Sequence, residues 1–159
     1  MTEEYDSYRR AQARAWLEHV RRLGAEAERL QGLVESERAM LDGVRGIDYT
    51  VEHVSGTRGA PDTADLMDAL SDRIRDYTAA IAAYTDERQR AARILEGVVD
   101  AASRRILTEH YLLGKTWSEV AELTDYSESG LMKLRRRALL QAFEVVPMEW
   151  RDPFHPASL

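Results

Sequence analysis

Two long stretches of the chain repeat apolar side chains at alternating steps of three and four, and that period decides most of what the chain can fold into. In the first, Ala13, Trp16, Val20, Leu23, Ala27, Leu30, Val34, Leu41 and Val44 form the stripe, with Glu37 as the interruption. In the second, Met67, Leu70, Ile74, Tyr77, Ile81, Tyr84, Arg88, Ala91, Leu95 and Val98 keep the spacing without a slip, and Arg88 is its one non-apolar member. A period of about 3.5 is the seam of a coiled coil rather than the broad face of a globular helix. A helix of about 35 residues is roughly 50 Å long, too long to bury such a stripe alone. Each stripe therefore needs a partner. The connecting segment, about residues 46–62, collects Gly, Ser and Pro in SGTRGAPD and reads as a loop with a short extended piece in IDYTVEHV. It is long enough to fold the second stripe back antiparallel on the first, and pairing with a second copy fits the pattern equally well.

Charge divides the chain differently from its average. The net charge of −6 comes from 28 acidic and 22 basic side chains. Residues 1–102 carry −6, residues 103–143 carry +2, and the tail from Glu144 carries −2. An anion is expected to bind in the second half. With no cysteine there is no disulfide framework, no Cys-ligated metal and no thiol nucleophile. No apolar run approaches the roughly 18 residues of a membrane span, and MTEEYDSYRR lacks the order of a secretory signal. The working class is a soluble cytoplasmic protein.

Beyond the seams the grammar changes. Asp62 is placed to cap the second long helix, with Asp65 in its first turn. Gly97 ends it, Asp100 can cap a shorter helix carrying Ile106, Leu107, Tyr111 and Leu112, and Gly114 closes that one. Thr116 and Glu119 have the spacing of a capping box, which starts a helix ending near Thr124. Val120, Leu123 and Tyr126 supply its apolar contacts. Ser127 caps the next helix, whose inward stripe is Leu131, Leu134, Ala138 and Ala142. The opposite face presents Ser129, Met132, Lys133 and Arg136, with Ser127 and Glu128 at its amino end. A helix-turn-helix puts such positions in the major groove, where Lys and Arg meet guanine acceptors and Glu accepts from cytosine. Arg135, Arg137, Lys115 and Thr116 would then lie near phosphates, and Arg104 and Arg105 would extend the positive surface.

The run from Arg105 through Leu139 resembles region 4 of the sigma-70 family, the helix-turn-helix that reads the −35 promoter element. More closely, YLLGKTWSEVAELTDYS followed by LMKLRRRAL is similar to the ArpU-type transcriptional regulators of phages and prophages. The resemblance implies an all-α fold, a long amino-terminal antiparallel coiled-coil hairpin followed by a helix-turn-helix domain. The division expected is residues 1–98 for the hairpin, 99–144 for the helix-turn-helix and 145–159 for an irregular tail packed back through Trp150 and Phe154. It implies double-stranded DNA as partner, a homodimer, and a further partner such as RNA polymerase. Two positions depart from the family: Asp125 stands where the turn commonly has Gly, and Gly130 where the reading helix usually has a larger residue. Two other readings are a small terminase-like packaging subunit and a coiled-coil adaptor without DNA contact.

Nothing in the chain spells catalysis or a cofactor. His19, His53, His110 and His155 are isolated, with no metal-ligand spacing, and read as surface or helix-end residues. No nucleophile motif or glycine-rich phosphate loop is present. The Tyr77 and Tyr84 stripe reads as core.

Overall fold

The computed structural model describes residues 2–48 and 63–154, and these are helical with no strand among them. In chain order the elements are α1 (Glu3–Asp48), α2 (Thr63–Leu95), α3 (Ala101–Leu107) with a π-helical turn at Thr108–Leu112, α4 (Trp117–Thr124), α5 (Glu128–Phe143) and a 3₁₀ turn at Met148–Trp150. None of the helices is long and apolar enough to cross a membrane. The all-α class expected from the periodicity is what the chain adopts.

α1 runs on to Asp48, past residue 46 where the loop was expected to begin. Gly43 and Gly46 each weaken a helix by about 1 kcal/mol, yet both keep their place in the backbone ladder, so they tax the helix without ending it. The rest of the expected loop, Asp62 as a cap, His53 and His155 lie outside the described residues.

Two compact units divide the chain, Met1–Ala25 with Thr85–Leu159, and Glu26–Tyr84. The division at residues 25 and 84 differs from the one expected at residue 98. The reason lies in the first unit's core. Ala13, Trp16, Leu17 and Val20 from α1 and Ala91, Leu95 and Val98 from the end of α2 are buried in one cluster with Ile106, Leu107, Val120, Leu131, Leu134, Ala138 and Phe143. Read along the sequence these were two ends of a coiled-coil seam. In the fold they are the wall on which the carboxy-terminal helices pack. At about 25 cal/mol per Å² of apolar area, a three-helix cluster as short as α3–α5 has little to bury without such a wall.

In the second unit α1 buries Ala27, Leu30, Val34 and Leu41, and α2 buries Leu70. Met67, Ile74, Tyr77, Ile81 and Tyr84 are half-buried. Glu37, the interruption of the first seam, is satisfied there by Arg73 at 3.1 Å. All of the net charge sits in this unit: residues 26–84 hold 12 acidic and 6 basic side chains, whereas the first unit holds 16 of each.

Candidate nucleic-acid interface

Local rules build the carboxy-terminal helices in the order read from the sequence. Asp100 caps α3, accepting from the Ser103 amide at 3.1 Å and its hydroxyl at 2.6 Å. These bonds, the hydroxyl's first, hold the Asp100 carboxyl below its ordinary pKa. At α4 both halves of the capping box are present: Thr116 Oγ1 accepts from the Glu119 amide at 3.2 Å and the Glu119 carboxylate accepts from the Thr116 amide at 3.0 Å. Asp125 ends α4 in the left-handed region, φ 58°, so the usual turn glycine is replaced by a residue that pays only part of the steric cost. Ser127 caps α5 through the Gly130 amide at 3.1 Å. Gly130 is where it is because a Cβ there would come within 3.0 Å of that same Ser127 oxygen.

Between α3 and α4 the chain inserts a π-helical turn that the sequence did not announce. It frees several carbonyls, and charged side chains from the two long helices take them. Arg21 of α1 donates to the oxygens of His110 and Gly114, each at 3.3 Å, and Arg88 of α2 donates to that of Leu112. Arg88 therefore occupies its seam position for a reason: Gly24 of α1 faces it, and a Cβ on Gly24 would lie 3.2 Å from its guanidinium carbon.

α5 buries Leu131, Leu134, Ala138 and Ala142, the stripe expected, and adds Leu139 and Phe143. The six residues expected to read bases, Ser127, Glu128, Ser129, Met132, Lys133 and Arg136, are all exposed. Met132 is 62% exposed. Lys133 and Arg136 have no hydrogen bond or ion pair among the described residues, and both point from the first three turns of the helix. On α4 only Val120 of the three expected apolar contacts is buried; Leu123 and Tyr126 are 43% and 40% exposed.

The residues expected to meet phosphates are mostly engaged within the protein. Arg104 donates to the Val98 carbonyl at 2.8 Å. Lys115 pairs with Glu109 at 2.5 Å. Arg137 pairs with Asp100 at 3.3 Å, and Thr116 is committed to its cap. Arg135 lies with its guanidinium carbon 4.0 Å from the centroid of Trp117. Burial lowers its pKa, the direction expected for a cation taken partly out of water. Arg105 alone of this group is exposed and without a partner among the described residues. Counting charges cannot tell a free cation from a paired one, and the partners here lie on neighbouring elements.

His110 stands in the last turn before α4, the helix-end alternative of the expectation, and is half-buried there. Its ring stacks on Trp117 at 3.9 Å and 19°, and its Nδ1 lies 2.6 Å from the Lys115 carbonyl, to which it donates when that nitrogen carries the proton. Burial, opposed by that hydrogen bond and reinforced by Arg21 and Arg135, lowers its pKa to about 4. Tyr111 beside it is pushed up, again by burial. Trp117 and Arg135 open onto a groove of about 400 Å³ between α4 and α5, lined also by Ala121, Glu122, Glu128 and Met132. The groove runs along the edge of the exposed face of α5. Of the other histidines, His19 pairs with Glu87 at 2.8 Å and rests 4.6 Å from Trp150. No cluster of three metal-ligating side chains occurs among the described residues.

The carboxy end of α5 is held by groups that sequence reasoning missed. Arg151 donates to the carbonyls of Phe143 at 2.8 Å, Val146 at 2.9 Å and Glu144 at 3.1 Å, and its guanidinium covers the Phe143 ring. Arg9 of α1 reaches the Leu140 carbonyl and Glu144, at 3.5 and 3.0 Å. The tail does pack back, through Phe154 against Tyr5 and Tyr8 and through Asp152, which accepts from the Tyr8 hydroxyl and donates its amide to Gln12. A helix whose last carbonyls need donors is a legible signal, but which arginine supplies them is not.

No family model matches the chain, and no curated protein or solved structure does either.

Proposed function

We propose that the chain is a sequence-specific duplex-DNA-binding regulator of transcription, of the phage or prophage type that its likeness to the ArpU group implies. One observation carries this reading. A short helix, a left-handed turn at Asp125 and a 16-residue helix capped by Ser127 stand one after another, and the second helix buries one stripe while leaving Glu128, Ser129, Met132, Lys133 and Arg136 in solvent. That is the arrangement by which a helix-turn-helix offers its second helix to the major groove. The two cations without partners supply guanine recognition, Glu128 a cytosine acceptor and Met132 an apolar contact for a thymine methyl. The role is positioning and recognition rather than catalysis, with no cofactor.

In this reading the two long helices form an antiparallel hairpin. Within the second unit Glu37 pairs with Arg73 while Arg29, earlier on α1, lies near Tyr77 and Tyr84, later on α2. The hairpin's half-buried seam is the surface for dimerisation or for a partner such as RNA polymerase.

Selection of bound duplexes from a random pool identifies the site. Lys133→Ala with Arg136→Ala then tests the interface. Each well-made base contact is worth about 1–3 kcal/mol, so the double variant loses from about thirtyfold to about ten-thousandfold of its preference for the selected duplex, with helical content unchanged. Undiminished preference refutes the assignment.

A packaging or assembly subunit is favoured by one observation of its own. Ile74, Tyr77, Ile81 and Tyr84 remain half-exposed on a two-helix unit, a stripe suited to lateral association. Mass measurement in solution separates the two: a ring of many copies supports packaging, a monomer or dimer supports regulation.

A further inference from the structure

A second positive stretch of the first unit lies off the reading helix. Residues 7–25 of α1 carry Arg9, Arg10, Arg14, Arg21 and Arg22 against the single acid Glu18, a net of +4, whereas residues 103–143 carry +2. Contacts at both ends locate this stretch of α1. Arg9 touches the Leu140 carbonyl and Glu144 at the end of α5, and Arg21 touches the His110 and Gly114 carbonyls just ahead of α4. Arg14 lies between them on the same helix, one heptad before Arg21 and so on the same face. It is held along the flank of the α4–α5 pair, close enough to Arg135 and Tyr111 for its charge to act on both. Arg22 lines a groove of about 280 Å³ with Glu18, Arg21, Ala25 and His110, beside the chain that leads into α4. Arg14 and Arg22 are exposed and make no hydrogen bond or ion pair among the described residues.

These two arginines have the opposite properties of the group expected to meet phosphates. Arg104, Lys115, Arg135 and Arg137 are spent on internal partners. A reading helix with two free cations has little charge with which to hold a duplex, and most of the affinity of such proteins comes from phosphate contacts. Besides Arg105 on α3, Arg14 and Arg22 on α1 are free for that work.

We propose that the DNA interface extends onto α1, with Arg14 and Arg22 contacting the phosphate backbone of the same duplex whose bases α5 reads. The proposal rests on the regulatory reading above and adds a surface to it. The first part of α1 is then both a wall of the core and the positive rail on which the duplex lies.

The test is duplex binding by the full chain across a series of salt concentrations, for wild type, Arg14→Gln with Arg22→Gln, and Lys133→Ala with Arg136→Ala. Two lost phosphate contacts lower the slope of log affinity against log salt by about 1.8 and weaken binding about thirtyfold near 0.15 M salt, equally for selected and random duplexes. The α5 variant instead loses the difference between the two duplexes. Both α1 positions are exposed, so the helical signal of that variant stays at the wild-type level. Wild type that binds duplex while the α1 variant keeps its affinity and slope overturns the extension and leaves the regulatory reading standing. Wild type that binds no duplex at low salt overturns both.

Discussion

The half-buried ring of His110 makes the first unit acid-sensitive. Folded, the ring titrates at about 4 rather than 6.5, because it is packed on Trp117 near Arg21 and Arg135. Between those two values the unfolded chain binds a proton that the folded chain refuses. The stability held in the neutral ring is complete above pH 6.5 and is lost as pH falls toward 4. The full difference is worth about 3 kcal/mol at about 1.4 kcal/mol per decade, and solvent reaching half of the ring reduces it to about half. Between pH 7 and pH 5 the loss from this group is about 1–2 kcal/mol. Asp100 and Glu149, whose pKa values are lowered, lose their stabilisation mainly below their ordinary values of 3.8 and 4.5 and so contribute little to the change between pH 7 and pH 5. Urea unfolding of wild type and His110→Asn at about pH 7 and pH 5 checks it, since the amide can still donate to the Lys115 carbonyl without titrating. Wild type should lose about 1–2 kcal/mol more than the variant. Parallel losses would mean that the ring is not held neutral by the fold.

Three further outcomes follow from the scaffold. Asp125→Gly relieves the left-handed backbone at φ 58° and should raise stability by about 0.5–1 kcal/mol in thermal unfolding. Thr116→Ala removes half of the capping box and should cost about 1 kcal/mol, seen as a lower urea midpoint. Arg151→Ala releases three carbonyls at the end of α5, should cost about 2 kcal/mol, and should speed amide hydrogen exchange at Val145 and Val146, whose bonds close that end. An unchanged exchange rate there would show that the end of α5 does not depend on the tail.

What the sequence made legible was whatever is decided within one or two turns. The caps at Asp100, Thr116 and Ser127, the glycine closure at Gly114 with φ 75° and the inward stripe of α5 all rest on neighbours a few residues away. Pairings over long separations were hidden. The seam residues Ala13, Trp16 and Val20 have a coiled-coil period, and nothing local says that they share one core with Val120 and Leu134 rather than only with the next heptad. The arginines of the last third carried the same blindness: Arg135 and Arg137 look alike in the run Arg135–Arg137, but one lies on Trp117 and one pairs with Asp100, which leaves Arg136 as the free member. The π-helical turn has no compositional mark, since the donors that permit it, Arg21 and Arg88, stand on other helices.

The bond from Tyr8 to Asp152 spans 144 residues, and it has a consequence for how the chain must be made. A ribosome releases the first turns of α1 long before the helices that they wall exist, so Trp16 and Leu17 lack their core partners until those helices are made. Closure of the unit waits until the chain has been made as far as Asp152. A fragment cut at residues 99 and 144 would carry every residue of the reading helix and still lack the surface on which that helix sets. Such a piece should stay unfolded in isolation, and adding a peptide of residues 1–25 alone should not rescue it without the end of α2.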